Sequence, residues 1–539
     1  MKQCTLINKQ MRKLFIPLLV SSILVGTQTM GQGLNNLTGD LQLQQNFFQR
    51  DTAINASDNE LYDHLLSGGE SWLGMRYSSH GFVASLRVDG FINSNLKEPT
   101  QAMTGFNIGA WSLSKNIAGL TITGGYIYDQ IGSGILFRSY EDRGMLIDNA
   151  LKGIHLRYSL NNKLVLKAFG GQQKNVFESY APVIKGVAAE GSFKLSDKVH
   201  IVPGVGALNR TMDKGSMDLV VSNINGMPLE KRFEPTYNMY AFTFYNTLTA
   251  GALSWYVEGA YKTKEAISDY NGRLVQQDGN VIYSNLFYAM NNFAVTLTGK
   301  RTENFIMRTS PNEALLNGIM NWQPITAQLR PHRLIARYSP ASQDLSEYAF
   351  NADVFINPTD EIDLNISGTY INTLDDLKLY REAYVEANFR KWSNWDIDLG
   401  FQYMEYNQDY YQFKPGVPLL VSYTPFTEVT YRLGGRKSIK FQAQYMQTEQ
   451  DYGSWAFASL EYAVANNWSV AISDMYNVSP VNPSEKGKHY YNIFGSYTKG
   501  PHRFTLAYVK QVEGINCTGG VCRYEPAFNG LKLGIFSTF

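Results

Sequence analysis

From about residue 39 onward the chain repeats one rhythm: an alternating apolar–polar segment, a very short turn, another alternating segment, then a long polar connection. Ile154-His155-Leu156-Arg157-Tyr158-Ser159-Leu160 runs into Asn161-Asn162, and Leu164-Val165-Leu166-Lys167-Ala168 leads away. Asn tolerates the positive φ that a two-residue hairpin turn requires. Similar tight turns are expected near Ser79-His80-Gly81, Ser196-Asp197-Lys198, Ala250-Gly251, Asn291-Asn292, Gly434-Gly435, Asn466-Asn467 and Lys499-Gly500-Pro501. Longer polar connections lie between them, around residues 51–69, 131–150, 212–236, 265–281, 307–320, 409–419 and 513–527. Short turns at one end of the strands and long loops at the other are the asymmetry of outer-membrane β-barrels, the short turns being periplasmic. At roughly 20 residues per strand and connection, the spacing predicts about 24–26 strands, even in number. Residues 317–345, with Pro324, Pro331 and Pro340, frame either one extra hairpin or a long folded loop.

The last alternating segment runs from Leu531 to Phe539. Leu531, Leu533, Ile535 and Phe539 share one face, and Lys532, Gly534 and Thr538 share the other. A Lys on the lipid face costs about 2–4 kcal/mol at mid-bilayer and little in a lumen, so Lys532 is expected inside. The segment is expected to close the barrel against the first strand. Its apolar face (Leu533, Ile535, Phe539) is the pattern that barrel-assembly machinery reads.

Composition agrees. The chain holds 35 Tyr, 29 Phe and 8 Trp, with 18% charged residues. Amphipathic rings of this kind form the belts at the two membrane interfaces. Mean hydropathy is −0.25, as expected where half of every strand faces water. Beyond the N-terminal region no stretch approaches 18 consecutive apolar residues, which excludes helical spans. No linker or shift in composition divides the chain into domains.

Arg12-Lys13 precede the apolar run Leu14–Val20, which continues through Ile23-Leu24-Val25, and small residues follow at Thr29 and Gly31. This order predicts a secretory signal peptide over residues 1–31, cut before Gln32, with the barrel over 32–539. Of the 48 Lys+Arg, four (Lys2, Lys9, Arg12, Lys13) leave with it, so 44 face 47 Asp+Glu, a formal charge of −3. Such a balance offers no footprint for nucleic acid. Cys4 also leaves. Cys517 and Cys522 remain, and an even pair in an exported chain reads as a disulfide across Gly519-Gly520, stabilising by about 2 kcal/mol. Zinc would need two further ligands, and none is in sequence reach.

Cys-Thr-Gly-Gly-Val-Cys-Arg at 517–523, followed by Pro526-Ala527 and the closing strand, resembles the C-terminal signature of an uncharacterised family of Bacteroidota outer-membrane proteins, known only as a domain of unknown function. Leu136-Phe137-Arg138-Ser139-Tyr140-Glu141-Asp142-Arg143 with Ile147–Gly153 is similar to another of its blocks. The resemblance implies a large single-chain barrel and carries no activity, cofactor or catalytic residue.

Motifs for chemistry are missing: no Gly-x-Gly-x-x-Gly after a strand, no P-loop and no His-Glu-x-x-His. Seven His residues are scattered without metal-ligand spacing, so neither a metal nor a cofactor is expected. A barrel enzyme needs a nucleophile beside a His and a carboxylate. His155 is the one candidate, and a plain lumen-facing side chain is the simpler account. Alternation begins at Gly39-Asp40-Leu41-Gln42-Leu43-Gln44, which leaves no room for an N-terminal plug domain. One charged loop stands out, Arg138, Glu141, Asp142 and Arg143 between Gly132, Gly134 and Gly144. Folded inward it would narrow the lumen and set a transverse field; folded outward its charges would pair or be solvated at the rim. The expectation is therefore an outer-membrane barrel with a polar lumen, in contact with lipid and delivered by the assembly machinery. It is expected to act as a channel or porin-like protein, or else as a non-conducting subunit of an envelope complex for secretion or assembly.

Overall fold

The computed structural model describes residues 36–539 apart from positions 100, 162, 270, 271, 466, 483, 485, 519 and 520, and the side chains of residues 516–518 and 521 are also outside the description. The expected signal peptide over 1–31 therefore lies outside the described residues. The described chain forms a closed antiparallel barrel of 24 strands, each paired with its sequence neighbours. The strand Glu178–Gly191 is interrupted before Phe193–Lys194, and both pieces pair with Val199–Thr211. Closure is made as the sequence predicts. The last strand, Phe528–Thr538, pairs with the first, Leu37–Phe48, from Asp40↔Thr538 to Phe48↔Gly530. Gly39 N donates to Phe539 O at 2.7 Å, and Phe539 N to Gly39 O at 3.0 Å. A sheet closed on itself leaves no unpaired edge.

Alternation sorts the two faces of the wall. In Asn238–Ala250, Met239, Ala241, Thr243 and Tyr245 are buried on the inside, while Tyr240, Phe242 and Phe244 stand exposed on the outside. The same outward band includes Ile154, Ile282, Phe350, Leu460, Ile472 and Leu506. A band of this extent facing water would be an aggregation surface; facing hydrocarbon it is at rest. In the closing strand Leu531 and Leu533 are exposed outside, and Lys532 lies inside, its Nζ 4.3 Å from the Phe528 ring centroid.

The two rims differ as expected. Tight turns connect strands at 80–81, 251–252, 291–292, 435–436 and 500–501, and long connections occupy 49–66, 128–150, 212–237, 304–346, 407–419 and 512–527. Two readings change. The polar stretch 265–281 is mostly strand: Leu253–Ser268 and Leu274–Met290 pair up to Ser268↔Leu274, so polarity there marks strands that rise above the wall rather than a loop. Residues 317–345 add no hairpin. They belong to one connection, 304–346, whose only regular helix among the described residues is the 3-10 turn Ile335–Tyr338. That settles the strand count at the lower end of the expected range.

Candidate functional site

Two of the long connections do not leave the barrel; they fold down into it. The first, residues 128–150, is built from two small ladders, Gln130–Ile131 with Phe137–Arg138 and Glu141–Asp142 with Ile147–Asp148. Its apolar side (Ile131, Ile135, Leu136, Phe137) packs with wall residues Phe169, Ile184, Leu208 and Met239 in one buried cluster. Room for it comes from Gly206, where a Cβ would stand 2.6 Å from Ile131 Cγ2. Gly132 takes φ +57°, and Ser133 after it donates through N and Oγ to Glu258 Oε2 at 2.9 and 2.6 Å. A carboxylate on the wall thus receives the tip of the turn.

The second connection, residues 304–346, meets the first in mid-lumen. Arg138 N donates to Met320 O and Trp322 N to Gly134 O, both at 3.0 Å, while Asn321 Nδ2 reaches Ile135 O at 3.0 Å. Backbone that would be costly to bury is thereby paired between the lobes. Wall side chains hold the rest. Lys262 Nζ donates to Ile306 O and Lys300 Nζ to Pro324 O, each at 2.8 Å. Leu334 N donates to Gln444 Oε1 at 2.7 Å, and His332 Nδ1 is 2.9 Å from Gln442 Nε2. The Arg330 guanidinium lies 3.7 Å from the Tyr384 ring centroid, and the Tyr338 hydroxyl donates to Asp451 at 2.7 Å. Asp451 itself is desolvated, but Lys414 at 2.6 Å and Tyr338 outweigh that penalty and hold its carboxyl below the usual range.

The four residues singled out from sequence fall in the first lobe, inside the barrel. Arg138 stacks between Tyr140 and Trp322, at 4.6 and 4.8 Å. Asp142 Oδ1 accepts from Met145 N at 3.0 Å and so shapes its own turn. Glu141 and Arg143 pair with each other at 2.8 Å, and Arg143 also reaches Asp40 at 3.2 Å. Acid and base therefore meet within one cluster on one wall. Its hub is Arg87, which contacts Asp89 at 2.7 Å, Glu141 at 2.8 Å and Asp148 at 2.5 Å. Lys174 pairs with Asp148 and lies 3.6 Å from Asp89. Arg87, Asp89, Asp148 and Lys174 were missed from sequence. Alternation places Arg87 and Asp89 on one face of Phe82–Ser94, a signal that was there to be used.

His155 is 3.0 Å from Asp129, which also binds Lys167 at 2.7 Å, and no hydroxyl or thiol bonds its ring among the described residues. No cluster of three or more potential metal ligands is found among the described residues. Cys517 and Cys522 are direct cross-strand partners in the hairpin Gly514–Thr518 with Val521–Glu525; the Gly519-Gly520 turn lies outside the described residues.

A family model described as a family of unknown function (DUF6029) matches residues 11–539. No curated protein matches the sequence. Among solved structures, the P pilus usher (PapC) translocation pore is similar with 9% identity and a TM-score of 0.45, over 93% of this chain and 99% of that one. A P pilus tip assembly intermediate of E. coli gives 10% and 0.49, over 94% of this chain and 61% of that one. The siderophore receptor PirA of Pseudomonas aeruginosa gives 8% and 0.43, over 94% and 81%. These likenesses concern the large barrel alone.

Proposed function

The chain belongs to this family of unknown function, and we propose that it is a channel-type protein of the bacterial outer membrane whose lumen is held shut by two of its own loops. The observation that carries this reading is the way the lobes are held. Apolar packing of Ile131, Ile135, Leu136 and Phe137 seats the first lobe on the wall, and polar ties such as Ser133 on Glu258 and Lys300 on Pro324 hold both lobes across the lumen. A barrel of this size encloses more space than its wall side chains fill, and in 22-stranded transporters the lumen is likewise plugged. In this reading the short turns face the periplasm and residues 1–31 are an export signal. Lipid surrounds the outward band, and the face bearing Leu533, Ile535 and Phe539 addresses the assembly machinery. Arg138, Glu141, Asp142 and Arg143 then belong to the obstruction. The filled lumen also favours a second reading, a non-conducting subunit of an envelope complex.

Planar-bilayer conductance separates the two. The wild type is expected to be silent, or nearly so, and a variant with residues 132–147 and 309–342 each replaced by a short Gly-Ser linker is expected to give large, steady conductance. A linker variant that inserts, shows the heat-modifiable gel mobility of a folded barrel and still stays silent would remove the channel reading and leave the subunit.

We also assign Cys517 and Cys522 to a disulfide. Directly opposed antiparallel residues have Cα atoms about 4.5–5.5 Å apart, inside the range a disulfide spans. Thiol titration of the denatured, unreduced mature protein should find no free thiol, and two after reduction. Two before reduction would end the assignment.

A further inference from the structure

The lobes do not fill the lumen completely. Between the second lobe and the wall from Ser454–Val464 to His502–Gln511 lies a cavity of about 620 Å³, within the size range of small-molecule sites. The lobe lines it with Arg333 and Arg337, the wall with Ser473, Asn492 and Gln511, and the last long loop with Glu513. Most charges around it are answered. Lys414 meets Asp451 at 2.6 Å, Lys510 meets Asp51 at 2.7 Å, and Glu525 meets Arg523 at 2.5 Å. Glu513 accepts from the Tyr452 and Tyr524 hydroxyls at 3.3 and 2.7 Å. Arg337 lies over the Trp455 and Tyr452 rings, at 4.7 and 5.1 Å.

Arg333 is different. Among the described residues it has no carboxylate, no ring and no hydrogen bond, and its side chain stands exposed toward the cavity, on the same lobe as the Arg337 guanidinium. Crowding by the lobe and the neighbouring Arg337 lower its pKa from the ordinary value, but the side chain remains open to the cavity, so it is its position there as an unpaired cation that makes it available to a counter-charge. Asn492 Oδ1, on the opposite wall, is buried without a partner.

We infer that this cavity binds a small solute carrying an oxyanion, a carboxylate or a phosphate monoester, with Arg333 as the group that receives it. A guanidinium presents two parallel N–H donors that match both kinds of oxyanion. Aromatic and amide side chains around it suit the uncharged part of such a solute. Asn492, Gln511 and Ser473 can exchange hydrogen bonds with hydroxyls, and Phe457 and Tyr452 offer flat apolar faces. The inference rests on the closed-channel reading for its biological sense, since it names what the barrel would hold or admit.

The test is calorimetric titration of the detergent-solubilised full-length mature barrel at physiological salt with citrate and with inorganic phosphate, and with glucose as neutral control. At least one anion is expected to bind the wild type and glucose to bind no more tightly than buffer. Arg333→Gln should weaken the anion at least tenfold, Arg333→Lys should keep part of it, and Lys391→Gln, at the opposite rim, should change nothing. Gel mobility before and after boiling checks that each variant is folded. The inference is overturned if neither anion binds the wild type, or if Arg333→Gln binds as the wild type does. Because binding is read without a bilayer, its loss leaves the conductance result untouched, and a silent linker variant leaves the binding result untouched.

Discussion

Lys300→Met is expected to lower the stability of the barrel by about 3–5 kcal/mol, the usual cost of removing one partner from a buried ion pair. Lys300 and Glu347 face each other at 2.7 Å with side chains 0% and 1% exposed. They stand on Phe293–Glu303 and Glu347–Thr359, the two strands between which the second lobe is strung. Lys300 Nζ also donates to Pro324 O at 2.8 Å, so one ammonium ties the stem of the lobe to its middle. Methionine fills a similar volume and leaves the carboxylate without a counter-charge in a dry site. Glu347 Oε2 already has no hydrogen-bond partner, so nothing nearby can take over. In Lys300→Met/Glu347→Leu both charges go, and most of the loss should return, since apolar replacement of a whole buried pair is often neutral or stabilising. Reversible denaturant unfolding in detergent measures all three proteins. If the double variant is as unstable as the single one, the cost lies in packing or in the Pro324 bond, not in the stranded charge.

The barrel was legible because its code is local. Alternation in Asn238–Ala250 or Phe528–Thr538 states which side chains face lipid without reference to any other part of the chain. Turns were legible for the same reason. The lobes were legible only as open alternatives, the charged loop at 138–143 folded inward or outward and 317–345 a hairpin or a long folded loop, and the cause is physical: a loop inside a polar lumen and a loop in bulk water are built from the same residues. Arg330, His332, Arg333 and Arg337 lie between Pro324 and Pro340, in the stretch whose prolines left hairpin and folded loop open. Their partners are Tyr384, Gln442, Trp455 and the cavity, on strands far along the chain. Pattern alone cannot supply such contacts. Ile135-Leu136-Phe137 was the available hint, an apolar triplet in a connection between Gly134 and Arg138, with Ile135 and Leu136 now wholly buried and Phe137 nearly so. Polarity also misled in the other direction at 265–281, where Glu265 is paired with Arg210 and Lys262 inside the barrel, so a charged strand end looked like a loop.

Arg87→Gln should release the first lobe and accelerate tryptic cleavage at Arg138 and Arg143 about 100-fold, equivalent to about 3 kcal/mol of opening free energy. When opening and closing outpace cleavage, the rate follows the open population. Arg87 answers three carboxylates, Asp89 on its own strand and Glu141 and Asp148 on the lobe, and only the last two would be lost by undocking. Without the guanidinium, Lys174 is shared between Asp89 and Asp148, and Glu141 keeps only Arg143. Within this cluster the wall then holds the lobe by ion pairs through Lys174 and Asp40 alone, with Asp89 left facing the lobe carboxylates. Burial decides the size of the effect. The Arg87 and Lys174 side chains are 9% and 2% exposed, so water cannot replace the lost partner as it would around a surface pair worth less than about 1 kcal/mol. Adding Asp148→Asn to Arg87→Gln removes one of the stranded charges and should slow cleavage again by several-fold. A cleavage rate within about fivefold of wild type in Arg87→Gln would mean that the apolar contacts of Ile135, Leu136 and Phe137 dock the lobe by themselves. The ion cluster would then fix its register rather than its closure.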